Sequence, residues 1–228
     1  MHAPLTTRRI ARMAAVALVA LVVVQAVPPA ASAATPPPPV LLVHGFRSSS
    51  RTFDTMATRL ERNGRTVYAI TLPGQDNVVN ARAIAAYLAA RGVRRVDIVG
   101  HSMGGLSGRW FVKFLRGSVT VDHYVSLGTP QYGLAGTCLA PLDFGGQMCP
   151  GGAFLRRLNA GDDTPGATRY TSIASTDDGL VPVASSRLDG GACLIRDGDV
   201  THGQLVRDSR VYRQVAYSLA GRCPPAFG

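Results

Sequence analysis

The sequence predicts an α/β fold whose central sheet is mostly parallel and is covered by helices on both faces. Short runs of Val, Ile and Leu have the composition of strands that are buried on both sides. They alternate along the chain with longer stretches of helical character, an order that is typical of parallel sheets. Glycine and proline mark the junctions between the two kinds of segment. Because no internal repeat interrupts this order, we expect one α/β domain.

In the first half of the domain, turn residues separate the predicted elements. Val40 to Val43 is uniformly apolar, the helix that follows stops at Asn63-Gly64, and the second strand ends at Pro73-Gly74. An Ala-rich helix has Gly92 just past its end, and the third strand leads directly into Gly100. The predicted strands here are residues 40–43, 67–72, 96–99 and 121–127, and the predicted helices are residues 53–62, 78–91 and 103–115.

The second half of the domain is less regular. Residues 131–165 are rich in loop-forming residues and contain one short predicted helix at 154–158. This stretch has room for loops but not for a large additional domain. The last predicted elements are two strands, at 170–174 and 192–196, and a helix at 209–219. The strands complete the predicted sheet, and the helix packs on one of its faces.

The first 33 residues have the three parts of a secretory signal peptide. Three arginines precede an apolar stretch at 13–27, and the small residues of Ala31-Ser32-Ala33 suit a signal peptidase. A membrane anchor is the alternative, but spanning a bilayer takes about 20 apolar residues and this stretch is shorter. We therefore expect a signal peptide at 1–33, a mature domain at 34–228, and a secreted product without stable membrane insertion.

The composition excludes several classes of protein. Hydrophobic residues make up 46% of the chain and charged residues 17%, which excludes a disordered chain. The 24 Lys and Arg residues outnumber the 14 Asp and Glu residues, giving a net charge of +10. The arginines are scattered and aromatic residues do not interleave with them, as a nucleic-acid surface would require. We expect no nucleic-acid partner.

The four cysteines predict disulfide bonds, because an even number of cysteines in a secreted domain usually pairs. Three pairings are possible. A metal site is disfavoured, since no two cysteines have the short spacing of metal ligands and no histidine cluster accompanies them. Our hypothesis pairs Cys138 with Cys149, 11 residues apart in the loop-rich stretch, and Cys193 with Cys223, which would tie a late strand to the C-terminal tail.

The strongest chemical signal is Gly100-His101-Ser102-Met103-Gly104, which fits the G-x-S-x-G pattern between a strand and a helix. A sharp turn at this place exposes the hydroxyl of Ser102 at the carboxyl end of the sheet. The alternative is a glycine-rich helix start with Ser102 as its cap. The flanking strand and helix favour a nucleophile.

A nucleophilic serine needs a base, and in this topology the acid and then the histidine follow it in the chain. His202, in the loop before the last helix, is the one histidine that follows Ser102 at a long distance in the sequence. The alternative is that His202 is an ordinary surface histidine. Asp177 and Asp178 follow a predicted strand that lies between Ser102 and His202 in the sequence. Either aspartate could orient the histidine. The other acids considered are Asp143, Asp162 and Asp163, which lack a strand end, and Asp189, Asp197 and Asp199, which come late.

Acyl transfer also needs donors for the developing oxyanion. The backbone N–H of Met103, at the start of a helix, is one candidate. The loop Val43-His44-Gly45-Phe46, after the first strand, offers the backbone N–H of Phe46 as the second. Phe46 is alternatively a hydrophobic wall residue of the site.

These segments together resemble the small secreted lipases of Gram-positive bacteria, which have the α/β-hydrolase fold with a minimal lid or none. The resemblance covers nearly the whole mature chain, and the segments that carry it are 43–46, 96–105, 127–130, 170–178, 186–190 and 201–203. It implies a triad of Ser102, Asp178 and His202 with Phe46 and Met103 as oxyanion donors. This sequence departs from the smallest members in its longer 131–165 stretch and in its cysteines.

The expected function is therefore hydrolysis of carboxylic esters, above all acylglycerols at a lipid–water interface, through an acyl-serine intermediate. The chemistry needs no cofactor, no oxygen-ligand cluster predicts a metal, and we expect a monomer. A short-chain carboxylesterase or an acyltransferase is an alternative, because the same triad serves all three reactions. A non-catalytic surface-binding module that retains the fold is an alternative of a different class.

Overall fold

A computed structural model describes residues 36–228; the predicted signal peptide lies outside the described residues. The strands are β1 (Val40–Val43), β2 (Val67–Ile70), β3 (Val96–His101), β4 (Val121–Leu127), β5 (Arg169–Ser175) and β6 (Cys193–Asp197). They form one sheet in the order β2-β1-β3-β4-β5-β6, and every neighbouring pair is parallel. The predicted fold class is confirmed.

Residues 36–228 contain five α-helices, of which four lie between strands and the last follows β6. They are α1 (Asp54–Arg62), α2 (Asn77–Ala89), α3 (Met103–Phe114), α4 (Ala153–Leu158) and α5 (Ser209–Ser218). Each lies where the sequence predicts it, with ends that differ by one or two residues. Residues 135–148 add three short 3-10 turns, so the loop-rich stretch is more ordered than its composition suggested.

Alternate residues of β1 show why the sheet is covered on both faces. Leu41 and Val43 pack into a core that includes residues of α2 and α3, whereas Val40 and Leu42 pack into a second core with residues of α1 and α5. Successive side chains of a strand point to opposite faces of the sheet. A strand that is apolar throughout is therefore buried only if helices pack on both faces. All four side chains are fully buried.

The register brings the carboxyl ends of four strands to one edge of the sheet. His101 of β3 lies beside Leu127 of β4, and Leu127 lies beside Ile173 of β5. Ser175, at the end of β5, pairs with Asp197 at the end of β6. The loops that follow these strands therefore meet along the same edge, where ligands of open α/β sheets bind.

Both disulfides have the hypothesised pairing. Cys138 is bonded to Cys149 with their Cα atoms 4.5 Å apart, and this bond closes part of the loop-rich stretch. Cys193, the first residue of β6, is bonded to Cys223, which follows α5. Within residues 36–228, no helix has the length and apolar character needed to cross a bilayer.

Candidate active site

Ser102 lies on a strained turn between β3 and α3. Its backbone has φ 54° and ψ −130°, a region that L-residues rarely adopt, and its N–H donates to the backbone O of Leu127 at 2.9 Å. Gly104 allows this turn to pack closely, because a Cβ there would lie 2.2 Å from the backbone O of His44. The first turn of α3 therefore lies directly against the loop that follows β1.

Asp178 and His202 form a hydrogen-bonded pair across the loops after β5 and β6. The His202 Nδ1 lies 2.9 Å from Asp178 Oδ2, and the backbone N–H of His202 donates to the backbone O of Asp178 at 2.9 Å. The carboxylate can only accept, so Nδ1 carries the hydrogen and Nε2 is left to take a proton. The other carboxylate oxygen accepts from the N–H groups of Leu180 and Val181, at 3.0 and 2.6 Å.

The neighbouring acid, Asp177, points elsewhere. Its side chain is exposed, and Oδ2 accepts from the backbone N–H of Asp199 and from the hydroxyl of Thr176, each at 3.0 Å. These bonds hold the β5 end to the turn after β6. Of the two candidates that local sequence left open, Asp178 is the one that contacts His202.

The position of Gly128 shows that the pair lies beside the nucleophile. Gly128 follows Leu127, which holds the Ser102 backbone, and has φ +52°. A Cβ on Gly128 would lie 2.8 Å from Asp178 Oδ2 and 3.1 Å from His202 Nδ1. Within residues 36–228, the hydrogen bonds of His202 go to Asp178 and His101, and a bond from the Ser102 hydroxyl is not among them. Such bonds are often long in substrate-free sites and tighten when substrate binds.

The two predicted oxyanion donors, Met103 and Phe46, belong to segments that pack against each other near Ser102. Met103 is fully buried and is the first residue of α3, so its N–H has no acceptor within the helix and lies at the positive end of the helix dipole. Phe46 lies half-buried in the loop after β1, the loop against which α3 packs. The role of Phe46 and Met103 as oxyanion donors stays a prediction.

His44 is a functional candidate that the sequence analysis did not assign. Its Nε2 accepts from the backbone N–H of Leu72 at 2.9 Å, so its Nδ1 carries the hydrogen and donates to the backbone O of Gly45 at 2.8 Å. Burial lowers the pKa of His44, which favours this neutral form. In a trans peptide, C=O and N–H point in opposite directions. By holding the Gly45 oxygen, His44 therefore fixes the direction of the Phe46 N–H.

In the described part of the chain, no group of three or more His, Cys, Asp or Glu side chains is arranged to hold a metal ion. The histidines and the buried aspartate at the carboxyl edge instead contact one another and the backbone. A serine on a strained turn beside a histidine–carboxylate pair is an arrangement that can carry out nucleophilic catalysis.

Comparison with known proteins defines the class. Residues 40–223 match the model of the alpha/beta hydrolase family, so the chain belongs to that family. The structure is similar to that of a Bacillus licheniformis lipase in its mature form, with 21% identity, a TM-score of 0.66 and coverage of 81% of this chain and 92% of that one.

Two further structures share the fold. Aspergillus fumigatus lipase B has 20% identity and a TM-score of 0.70 over 82% of this chain and 54% of that chain. An esterase from Rhodococcus sp. has 18% identity and a TM-score of 0.59 over 81% of this chain and 90% of that chain. At these identities the similarity establishes the fold.

Proposed function

We propose that this protein is a secreted serine hydrolase that cleaves carboxylic esters through an acyl-serine intermediate. The observation that carries the proposal is the Asp178–His202 pair, which lies beside the strained turn of Ser102 at the carboxyl edge of the sheet. A serine hydroxyl is a weak nucleophile until an oriented base accepts its proton. His202 has the free Nε2 and Asp178 fixes its orientation.

In the proposed reaction, Ser102 Oγ attacks the ester carbonyl while His202 Nε2 takes the hydroxyl proton. The negative charge that develops on the carbonyl oxygen accepts hydrogen bonds from the N–H groups of Met103 and Phe46. His202 then gives the proton to the leaving alcohol, and the acyl group stays on Ser102. Water repeats the cycle with the same groups and releases the acid.

An acylglycerol at a lipid–water interface is the substrate class that we propose, because an exposed apolar surface adjoins the site. The apolar loop, residues Cys138–Cys149, exposes Leu139 by 99%, Leu142 by 68% and Phe144 by 53%. Its Gly145 lies against the Phe46 ring, and the Arg47 guanidinium lies 5.3 Å from the centre of the Phe144 ring. Exposed apolar residues clustered beside a catalytic edge suit contact with lipid. The lipases among the structural neighbours also support this class.

Buried polar contacts hold the loop-rich stretch in place. Gln147 Oε1 accepts from the backbone N–H and the side-chain amide of Asn77, at 2.7 and 2.9 Å, and all these atoms are buried. Arg109 of α3 is fully buried, forms an ion pair with Asp163 and donates to Asn159 Oδ1 at 2.8 Å. Removing one partner of a buried ion pair costs about 3–5 kcal/mol, because the other charge is left buried without a partner. These contacts support our proposal that residues 131–165 form a fixed wall rather than a moving lid.

We expect slight interfacial activation, because no lid has to open. The rate on tributyrin should rise smoothly as the substrate passes its solubility limit. The comparison protein carries Cys138→Ser and Cys149→Ser. It lacks the disulfide that closes the apolar loop, so its rate shows the effect of a more mobile loop beside the site. A sharp increase in the wild-type rate at the solubility limit would show that residues 131–165 open and close.

A panel of esters tests the proposed function. Rates should be measured from short p-nitrophenyl esters to emulsified triolein, with and without a competing alcohol. Turnover that a serine-directed phosphonate blocks supports the proposal, and activity on triolein supports the lipid class. Turnover of short esters alone indicates a carboxylesterase, and transfer of the acyl group to the alcohol in preference to water indicates an acyltransferase. The absence of turnover on every ester would contradict the proposed hydrolase.

We also propose that the protein is exported and cleaved after residue 33. Mass spectrometry of culture supernatant should find a mature N-terminus near Ala34, because Ala31-Ser32-Ala33 suits the peptidase. A variant with Ala31 and Ala33 both changed to Asp is the control, since charged side chains there prevent recognition. Finding an intact Met1 in the wild-type secreted protein would contradict the proposal.

A further inference from the structure

His101 contacts His202 in two ways, although the mechanism above gives it no part. It is the last residue of β3, directly before Ser102, and is 7% exposed. Its Nε2 lies 3.0 Å from the backbone O of His202, and the centres of the two imidazole rings are 4.5 Å apart with a tilt of 40°. Because a carbonyl oxygen only accepts hydrogen bonds, His101 Nε2 carries the hydrogen and donates it.

These contacts act on the side of His202 that Asp178 leaves free. Asp178 holds the backbone N–H and the ring Nδ1 of His202. His101 holds the backbone carbonyl and packs against the ring. His202 begins a short 3-10 turn whose neighbours Thr201 and Gly203 are exposed, so the surrounding loop gives it little packing of its own. The two partners together hold the base from both sides.

The charge state of His101 suits this position. Burial, followed by the adjacent His202, lowers the pKa of His101 to about 3. The ring therefore stays neutral over the pH range in which a histidine base works. It can donate to the carbonyl without placing a second positive charge beside the imidazolium that forms when His202 accepts the proton of Ser102.

We propose that His101 is a positioning residue, which ties the loop that carries the base to the strand that carries the nucleophile. The hydrogen bond and the ring contact fix His202 relative to Ser102, because His101 and Ser102 are adjacent at the end of β3. The proposal rests on the proposed function to the extent that Ser102 and His202 act together. A displacement of about 1 Å in such a pair can lower the rate about 100-fold.

The test compares His101→Gln with His101→Leu. The amide of Gln can donate to the same carbonyl, whereas Leu fills a similar volume without a donor. We expect His101→Leu to lower kcat about 10- to 100-fold on a soluble ester with little change in KM. His101→Gln should restore most of that loss. The control is His123→Gln, near the start of β4 and hydrogen-bonded to Asp97, which should leave kcat unchanged.

Backbone hydrogen exchange supplies a readout that does not depend on the substrate. The peptide covering residues 199–208 should exchange faster in His101→Leu than in the wild type or His101→Gln, while peptides from α2 should not change. If His101→Leu does not fold, His101→Phe serves in its place, because it keeps a ring and lacks the donor.

Four results would overturn the proposal: a wild-type kcat in the variant without a donor, an equal loss in both variants, a loss confined to KM, or unchanged exchange in residues 199–208. Failure of the proposed function has a different signature. In that case the wild-type protein hydrolyses no ester and resists the phosphonate, while the exchange comparison still decides whether His101 holds the loop.

Discussion

Replacing Ser102 by alanine should lower ester turnover about 10⁶-fold, as removing the nucleophile does in a serine protease. Such a loss corresponds to about 8 kcal/mol in the barrier. Alanine keeps the Cβ and loses only the hydroxyl, so the turn, the Leu127 hydrogen bond and the fold should remain. The measurement is kcat on a soluble ester, combined with mass spectrometry after phosphonate treatment, which should label the wild type and not the variant.

Ser118→Ala is the matched control for this substitution. Ser118 lies in a 3-10 turn just before β4, near the opposite end of the sheet, and its loss should leave kcat unchanged. Thermal melts of both variants check that they are folded. A Ser102→Ala protein that still hydrolyses the ester and is still labelled at one site would place the nucleophile at another residue.

Replacing Asp178 by asparagine should lower kcat by about 10⁴-fold, whereas Asp177→Asn should remain within about tenfold of the wild type. Asparagine keeps the shape of the acid but can offer N–H where His202 Nδ1 requires an acceptor, which favours the wrong tautomer. The N–H groups of Leu180 and Val181 also lose the negative charge that they stabilise. Asp177 instead bonds to Asp199 and Thr176, so its change should affect the turn more than the chemistry.

The two aspartate variants control for each other, because they change the same kind of residue at adjacent positions. Both should be assayed on one soluble ester at pH 8, with folding checked by thermal melts. If Asp177→Asn is the inactive variant, the assignment is reversed. If neither substitution lowers kcat, the acid lies elsewhere, and Asp199 is the next candidate to change.

The sequence by itself determined the fold class and the nucleophile motif. Apolar runs such as Val40–Val43 are buried on both faces in any parallel sheet, and the glycines around Ser102 permit a turn that other residues would block. The order of serine, acid and histidine, together with the place of His123 in a predicted strand, predicted His202 as the base. These are local patterns and chain-order rules, so one sequence contains the information they need.

The tertiary structure decided which neighbouring groups meet. Strand position alone allowed either Asp177 or Asp178 to orient His202, and the family resemblance implied Asp178. The direction of each side chain depends on the turn and the adjacent strand, and in the structure Asp178 contacts His202 while Asp177 contacts Asp199. His44 accepts a hydrogen bond from the backbone N–H of Leu72, and His101 donates one to the backbone O of His202; spacing along the chain reveals neither contact. The contacts of residues 131–165 likewise depend on long-range partners, such as the ion pair between Arg109 and Asp163. Contacts between residues distant in sequence exist only once the sheet sets the loops side by side.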